Sequence, residues 1–269
     1  MVNSRSIGVI SIKGGVGKTS CSLNLGASLA KEFGARTLVV DANYSAPNIG
    51  LHLGLINPEL TLHDAFGKNV HMSKIVHKFD DNLHIIPGSV VGRKVNVFNL
   101  KEKLKEIKDD YEYVILDSSP NLNDEMLSTI IASDELFVVT TPDFPTLSSS
   151  IRAIKVARRK NTPINGIILN KVRNKKYELS VKEIEDACDV PVLAVLPDDQ
   201  TMLEALALSK PIAFHKPFSN AAIEYNKLAA CISNNDYQDP RFYSRIKSFI
   251  SGKLEKPEIN RQAFKNEKR

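Results

Sequence analysis

SIKGGVGKTS, residues 11–20, is the stretch that decides the fold of this chain. Its first two residues end the apolar run 7–12, and its last residues open a stretch of helical character, so a glycine-rich turn joins a strand to a helix. This strand–turn–helix unit is the context of a phosphate loop, whose usual pattern is G-x-x-x-x-G-K-[ST]. Here Ile12 replaces the first glycine of the pattern, and a second lysine, Lys13, precedes the glycines. We interpret position 12 as still part of the strand, so its departure from the pattern does not remove the phosphate site.

The turn carries the groups that phosphate binding needs. Its glycines let backbone N–H groups close around phosphate oxygens, and the positive end of the following helix adds to the attraction. We expect Lys18 to reach the β- and γ-phosphates of a nucleotide and Thr19 to hold Mg²⁺. The expected cofactor-binding residues of the loop are Lys13, Gly14, Gly15, Val16, Gly17, Lys18, Thr19 and Ser20.

Two aspartates end other apolar runs of the sequence. Asp41 closes the run 36–41, and Asp117 ends the run YVILD. Ligands bind at the carboxyl ends of strands in open α/β sheets, so we expect both aspartates beside the phosphate loop. We expect Asp117 to hold Mg²⁺ through a water and to sense the γ-phosphate, and we take Asp41 as a metal and catalytic candidate. A strand-end aspartate alone is as often a helix cap or turn residue, but the neighbouring loop favours the functional interpretation.

Short β-branched runs alternate with helical stretches along the whole chain. Several runs are apolar on successive residues, which is typical of strands buried on both faces. The order therefore predicts an α/β fold, a doubly wound and mostly parallel sheet with helices on both faces. The predicted strands are 7–12, 36–41, 83–88, 113–118, 135–141, 165–170 and 191–197. The predicted helices are 18–32, 99–108, 123–132, 147–160, 178–187, 200–208 and 220–233.

Composition excludes several classes of protein. The 269 residues are 42% hydrophobic, which is enough for a large core, but contain no run of 18 apolar residues, so no transmembrane helix is expected. The N-terminus lacks the pattern of a signal peptide. The three cysteines are far apart and form no C-x-x-C pair, so we expect a reduced, cytoplasmic protein without an iron–sulfur cluster.

The net charge of +5 is unevenly distributed. Residues 237–269 hold nine Lys or Arg and four acids, whereas residues 1–236 are neutral overall. We therefore divide the chain into a domain, 1–236, and a basic tail, 237–269. A uniformly basic nucleic-acid binder is not expected to have this distribution.

At these residues the chain resembles the MinD/ParA family of P-loop ATPases, and its MinD-like members more closely. The loop KGGVGKT is highly specific to that family. The resemblance covers nearly all of residues 5–232, and so implies the P-loop NTPase fold for this domain. It continues through VVDANYSAPNIGLHLGL (39–55), YVILDSSP (113–120), FVVTTPDFPTLSSSIRAI (137–154), GIILNKV (166–172), ELSVKEIE (178–185) and PVLAVLPDD (191–199).

The resemblance implies ATP and Mg²⁺ as cofactors and a homodimer in the ATP state. Lys13 resembles the family's signature lysine, which reaches the partner's phosphates in the dimer like an arginine finger supplied in trans. The alternative is a solvated surface lysine. Asn170 is expected to read the adenine edge, because an amide both donates and accepts, and Pro197, Asp198 and Asp199 are expected along the base.

One position departs from the family. After the second strand the family commonly has D-x-D, whose second acid positions the attacking water, whereas this chain has Asp41 followed by Asn43. Asn43 is able to hydrogen-bond a water but not to take its proton. Phosphoryl transfer depends more on positioning than on a strong base, so we expect hydrolysis at Asn43 to be slow.

The surface that the protein occupies stays open at this point. MinD-like members use the membrane and ParA-like members use DNA. The apolar residues of 241–254 fall within about 140° of a helical wheel with basic flanks, which suits an anionic membrane; a helix packed on the domain is the alternative. DNA or an activating protein partner is a further alternative, because Arg152, Lys155 and Arg159 share one helical face. A slow, nucleotide-gated scaffold is the remaining possibility.

Overall fold

The structure is a computed structural model that describes residues 4–68, 70–91, 95–241 and 255–268. Its strands are β1 Arg5–Ile10, β2 Thr37–Ala42, β3 His77–Lys78, β4 Leu83–Ile86, β5 Tyr113–Ser118, β6 Glu135–Thr140, β7 Ile164–Val172 and β8 Val192–Pro197. Its helices are α1 Lys18–Phe33, α2 Ile49–His52, α3 Leu62–Gly67, α4 Leu100–Leu104, α5 Asp124–Ala132, α6 Phe144–Arg159, α7 Val181–Cys188, α8 Gln200–Ala207, α9 Ile212–His215, α10 Asn220–Ile232 and α11 Lys256–Glu267.

The strands form one eight-stranded sheet in the order β3-β4-β2-β5-β1-β6-β7-β8. All neighbours are parallel except β3, which pairs antiparallel with β4 at the edge. The predicted α/β fold with a mostly parallel sheet is confirmed. The strand order reverses on either side of β1. The loops after β1, β2 and β5 therefore meet at the carboxyl ends of the strands, where ligands bind in this class of fold.

Both faces of the sheet are covered, which explains the continuous apolar runs. Neighbouring residues of one strand serve different cores: Val39 of β2 packs on the face that carries α1, whereas Leu38 and Val40 pack on the other face. The core on the α1 face also includes residues of α9, α10 and α11. The core on the other face is divided into one cluster near α4 and one near α6 and α7. The two-sided burial holds the strand ends, and therefore the site, in a rigid frame.

The chain after α10 returns to the body of the protein. No helix was predicted at residues 256–267, but α11 forms there and packs on the core, where its Phe264 is 7% exposed. Arg261 donates to the carbonyl of Leu193 in the edge strand β8 at 2.8 Å. The amphipathic stretch predicted at 241–254 lies, apart from Arg241, outside the described residues. The division of the chain at residue 236 stays a prediction.

Candidate nucleotide site

The loop between β1 and α1 borders a cleft of about 460 Å³ at the carboxyl edge of the sheet. Its opposite wall is built by the end of β8 and by α8, including Met202, Leu203 and Leu206. One side of the cleft is thus rich in glycine and positive charge, and the other is largely apolar. The predicted residues that line it are Gly14, Gly15, Gly17, Lys18, Thr19, Ser20, Asn43, Asn170, Pro197, Asp198 and Asp199.

Two glycines of the loop are required by the backbone. Gly15 has φ +78° and Gly17 has φ +92°, which is the left-handed region that favours glycine. A Cβ atom on Gly17 would also lie 2.3 Å from Nδ2 of Asn170. The loop therefore keeps its shape only with glycine at these positions, and the N–H groups at the start of α1 face the cleft region without a side-chain cap.

Lys18 is the cation at the base of the loop. It is only 7% exposed, and burial lowers the pKa of its ammonium, while the negative charge of Asp117 opposes the shift. A buried cation is stable when an anion joins it. Lys18 thus sits where it gains most from a phosphate group in the cleft.

Asp117 ends β5 directly behind the loop. It is fully buried and accepts hydrogen bonds from the hydroxyls of Thr19 at 2.6 Å and Ser22 at 2.9 Å. Burial raises the pKa of Asp117 to about 6, and these two hydrogen bonds oppose the shift. The contact between Thr19 and Asp117 brings together two of the three residues that sequence analysis assigned to the metal.

Asp41 is the register partner of Asp117 in the neighbouring strand β2. Its carboxylate accepts hydrogen bonds from the backbone N–H groups of Asn43 at 3.2 Å, Asn48 at 2.8 Å and Ile49 at 2.9 Å. Burial, followed by the negative charge of Asp117, raises the pKa of Asp41 to about 8. Asp41 thus shapes the loop after β2 and places a second acid beside Asp117.

These oxygens fit Mg²⁺. The group consists of two carboxylates and one hydroxyl, and Mg²⁺ prefers oxygen ligands, of which proteins usually supply one or two beside phosphates and water. The mutual repulsion of two buried acids is the electrostatic condition that a bound cation relieves. Among the described residues no three His, Cys, Asp or Glu side chains form a group able to hold a metal ion.

Asn43 lines the cleft with its amide in a defined orientation. Its Nδ2 donates to the carbonyl of Ala46 at 2.5 Å, and since a carbonyl only accepts, this contact decides which end of the amide is which. The other end, Oδ1, is buried and has no hydrogen-bond partner among the described residues. Asn43 therefore carries an unpaired acceptor buried beside the cleft, and an amide oxygen accepts a hydrogen bond but takes no proton.

Lys13 lies outside the cleft. It lines a separate groove of about 340 Å³ on the other side of the loop, where its Nζ lies 3.1 Å from Oγ1 of Thr146 and 3.5 Å from Oδ1 of Asp143. Its side chain is 42% exposed. The two lysines of one loop therefore face different spaces: Lys18 faces the phosphate position, and Lys13 faces an open groove. Val16 lines this groove as well.

The residues predicted for the base lie across the cleft from the loop. Asn170 lines the cleft, but its Nδ2 donates to the carbonyl of Val16 at 2.8 Å, so this amide also braces the phosphate loop. Asp198 pairs with Arg173 at 2.6 Å, and Asp199 caps α8 through Thr201. The assignment of these residues to the adenine stays a prediction.

Two site residues, Lys171 and Ser22, were not predicted from the sequence. Lys171 donates from Nζ to the carbonyl of Gly15 at 2.8 Å and borders both the cleft and the groove. No local pattern indicated it, because the contact joins positions far apart in sequence. Ser22 had a usable signal, since it lies three residues after Thr19 and so shares its side of the helix.

The chain is similar to proteins of known family. The protein family described as AAA domain matches residues 4–165 of this chain. An uncharacterized ATP-binding protein of Methanocaldococcus jannaschii is 33% identical over 249 residues, which cover 91% of this chain and 94% of that protein.

Two solved structures extend the similarity. The cell division ATPase MinD of Pyrococcus furiosus has a TM-score of 0.81 at 29% identity and covers 86% of this chain and 99% of its own. The septum site-determining protein MinD of Pyrococcus horikoshii OT3, complexed with Mg-ADP, has a TM-score of 0.80 at 29% identity and covers 85% and 95%. The family match, the 33% identity and the shared fold lead to one conclusion: the chain belongs to the MinD/ParA family of P-loop ATPases.

Proposed function

We propose that this chain is an ATP-switched dimer that positions other components in the cytoplasm, as its relation to septum site-determining proteins suggests. The observation that carries the proposal is the separation of the two lysines of the phosphate loop. Lys18 is buried beside Asp117, whereas Lys13 lies in an open groove outside the nucleotide cleft. A lysine that lies outside its own cleft, held by Thr146 and by a long, exposed ion pair with Asp143, is able to exchange these contacts for a second copy of the chain.

The cofactors are ATP and Mg²⁺, as the sequence predicted. The glycine-rich loop and Lys18 hold the phosphates, and Thr19, Asp117 and Asp41 are the residues that would hold the ion. Mg²⁺ supplies charge neutralisation on the phosphates when it is bound. The remaining work, which is to orient the phosphates and the attacking water, belongs to the side chains of this protein.

Hydrolysis in this scheme is slow. The unpaired Oδ1 of Asn43 accepts a hydrogen bond from the attacking water and orients it, but the amide does not remove a proton. Transfer through a loose transition state still proceeds with positioning and charge stabilisation alone. Slow turnover lengthens the life of the ATP dimer, which suits a switch that waits for a partner or a surface.

The proposed role of Lys13 is tested by the size of the protein in solution. We expect light scattering after size exclusion to find dimers with ATP and Mg²⁺ and monomers with ADP. Lys13→Ala is expected to bind ATP but to remain monomeric, or to dimerise without hydrolysis. Lys182→Ala is a suitable control, because it removes an exposed lysine of α7 outside both the cleft and the groove. Normal ATP dimers with normal turnover in Lys13→Ala would refute the role in trans.

The surface that we propose is an anionic membrane, contacted through 241–254. Most of this segment lies outside the described residues, but the chain is held on the domain on both sides of it: Arg241 pairs with Glu224 and Asp239, and α11 packs on β8. In the described residues no helix is long and apolar enough to cross a membrane. Attachment would therefore be peripheral, and two copies in a dimer would strengthen it through avidity.

Vesicle sedimentation tests this surface. Removing the whole tail is unsuitable, since it also removes α11 and the core residue Phe264. We expect Phe249→Asp to abolish ATP-dependent binding to anionic vesicles. Ser248→Asp, which adds the same charge on the other side of the predicted helical wheel, is expected to retain it. Equal binding by both variants would exclude this apolar face as the membrane contact.

DNA is the alternative surface, and one observation favours it. Arg152, Lys155 and Arg159 are exposed on α6, and no ion pair joins them to other described residues. If the protein ignores anionic vesicles but shifts DNA with ATP, and Lys155→Ala weakens the shift, a ParA-like role replaces the membrane proposal. The same face is also where an activating partner protein would bind if neither surface is used.

A further inference from the structure

A contact outside the recognised motifs links the segments that follow the two strands carrying the acids of the site. Ser45 lies on the loop after β2, two residues beyond Asn43, and its hydroxyl donates to Oε1 of Glu125. Glu125 is the second residue of α5, which follows the loop after β5 and Asp117. The contact thus ties the loop that carries Asn43 to the start of α5, the helix that follows the strand of Asp117.

Glu125 has an unused acceptor in this place. Its second oxygen, Oε2, is buried and has no hydrogen-bond partner among the described residues. The hydroxyl of Tyr44, the residue between Asn43 and Ser45, is likewise buried and without a partner there. Buried polar atoms of this kind need a reason, because a buried unpaired group destabilises the fold.

The loop that Glu125 holds determines the direction of the Asn43 amide. Nδ2 of Asn43 donates to the carbonyl of Ala46, which is the next residue after Ser45. The side chain of Asn48 donates to the same carbonyl at 2.6 Å. A movement of Ser45 would therefore shift the carbonyl of Ala46 and turn the amide of Asn43, whose unpaired Oδ1 is buried beside the cleft.

We propose that Glu125 is a positioning residue for ATP hydrolysis: through Ser45 it holds the Asn43 amide in the direction that orients the attacking water. The inference rests on the proposed ATPase function and concerns its rate. It gives the missing acid of the D-x-D pattern a physical counterpart, since this chain fixes the water through a braced amide. Small misplacements of positioning groups reduce rates by about 10- to 100-fold.

A simpler role for Glu125 is electrostatic, because acids are favourable in the first turn of any helix. Asp124, its neighbour, is exposed and occupies the same first turn. Asp124→Asn therefore removes a charge from the same helix end without touching Ser45. The comparison of the two acids separates a general effect on α5 from the specific contact.

Steady-state ATP hydrolysis with Mg²⁺, together with direct ATP-binding titrations, tests the proposal. We expect Ser45→Ala and Glu125→Ala each to lower kcat about tenfold or more while the Kd for ATP stays unchanged. The double variant is expected to be no slower than either single one, because both remove the same contact. Glu125→Gln is expected to recover most of the rate, since its amide oxygen still accepts from Ser45.

The measured rates separate a failure of the Glu125 role from a failure of the proposed ATPase function. If the wild-type protein hydrolyses ATP and the losses in the double variant multiply, or Asp124→Asn loses as much as Glu125→Ala, this inference is wrong and the proposed ATPase function stands. If the wild-type protein has no turnover above background, both fail. Ser45 is exposed, so Ser45→Ala leaves the core intact and carries the test even if Glu125→Ala does not fold.

Discussion

Two groups of charged side chains in this protein contrast in how their charges are satisfied. The phosphate cluster, at the carboxyl edge of the sheet, consists of Lys18, Asp41 and Asp117. The α10 cluster, at the other end of the chain, consists of Glu224, Lys227, Asp239 and Arg241. Both are largely shielded from solvent, but only the second pairs each acid with a base.

In the phosphate cluster burial favours the neutral forms. It lowers the pKa of Lys18 and raises the pKa of Asp117 to about 6. Burial and the charge of Asp117 together raise the pKa of Asp41 to about 8. The internal charges do not satisfy one another, so the cluster is prepared for charges that come from outside, namely phosphate oxygens and a cation.

In the α10 cluster the charged forms are favoured. Asp239 lies 2.7 Å from Nζ of Lys227 and 2.5 Å from the guanidinium of Arg241, which in turn lies 2.6 Å from Glu224. Burial alone would raise the pKa of Asp239, but the hydrogen bonds from Arg241 and Lys227 hold it well below its usual range. A saturated cluster stabilises the fold, whereas an unsaturated one in a cleft marks a binding site.

The largest effect is expected for Lys18→Met. It should abolish the ATP-induced rise in Tm, which for the wild-type protein corresponds to about 2.7 kcal/mol at an ATP concentration of about 100 Kd. Without nucleotide, the free energy of unfolding of the variant should lie within about 1 kcal/mol of the wild-type value. The reason is that the burial penalty of the ammonium offsets its attraction to Asp117. Differential scanning calorimetry with and without Mg²⁺ and ATP measures both quantities.

Lys13→Ala is the control for this experiment, as it removes the other lysine of the loop. It should retain the ATP-induced rise. A full rise in Lys18→Met would place the phosphate elsewhere, and a severe loss of stability without nucleotide would mean that Lys18 belongs to the structural kind of cluster.

An intermediate effect is expected for Asn43→Ala. It removes the unpaired acceptor beside the cleft and should lower kcat by about 10- to 100-fold with little change in ATP affinity. Asn48→Ala removes the other amide on the carbonyl of Ala46 and should lower kcat less. Equal losses in the two variants would indicate that Asn43 only braces the loop and does not place the water.

The smallest effect is expected for Asp239→Asn, which breaks the saturated cluster. It should lower the free energy of unfolding at pH 7 by about 1–2 kcal/mol. A depressed folded-state pKa contributes stability above the unfolded value of about 3.9, and this contribution is lost as the pH falls below it. The difference between the variant and the wild type should therefore narrow below about pH 4.

Urea unfolding across this pH range measures the effect of Asp239→Asn. Asp236→Asn is the control, because Asp236 is fully exposed and contacts Lys265 only at 3.5 Å. A constant difference from pH 7 to pH 3 would show that the carboxylate of Asp239 contributes through packing and not through its charge.

The parts of the fold and site that were predicted well are those that a local sequence pattern determines. Residues 113–118 form β5 as predicted. Successive apolar residues, here 113–116, are typical of a strand that is buried on both faces of a sheet. The loop 11–17 was recognisable because its glycines and lysines are neighbours in the chain. The strand predicted at 7–12 ends at Ile10, since the chain turns into the phosphate loop two residues earlier than the apolar pattern suggests.

Contacts between distant positions limited the rest. The helix predicted at 99–108 is shorter, Leu100–Leu104, with a separate 3-10 turn at Lys108–Asp110. The strand β3 has only two residues, which is too short to show the hydrophobic pattern of a strand in the sequence. Helix α11 is polar and is held by single side chains such as Phe264, so no pattern indicated it. In the site, the link between Ser45 and Glu125 joins positions 80 residues apart.

The central claim is that each protomer completes the site of its partner, and ATPase activity at varied protein concentration tests it most directly. If Lys13 acts in trans, the specific activity per chain should rise with protein concentration and level off where the ATP dimer is complete, while Lys13→Ala stays low throughout. A specific activity that is constant from well below to well above the dimerisation range would contradict the claim, since each chain would then hydrolyse ATP alone.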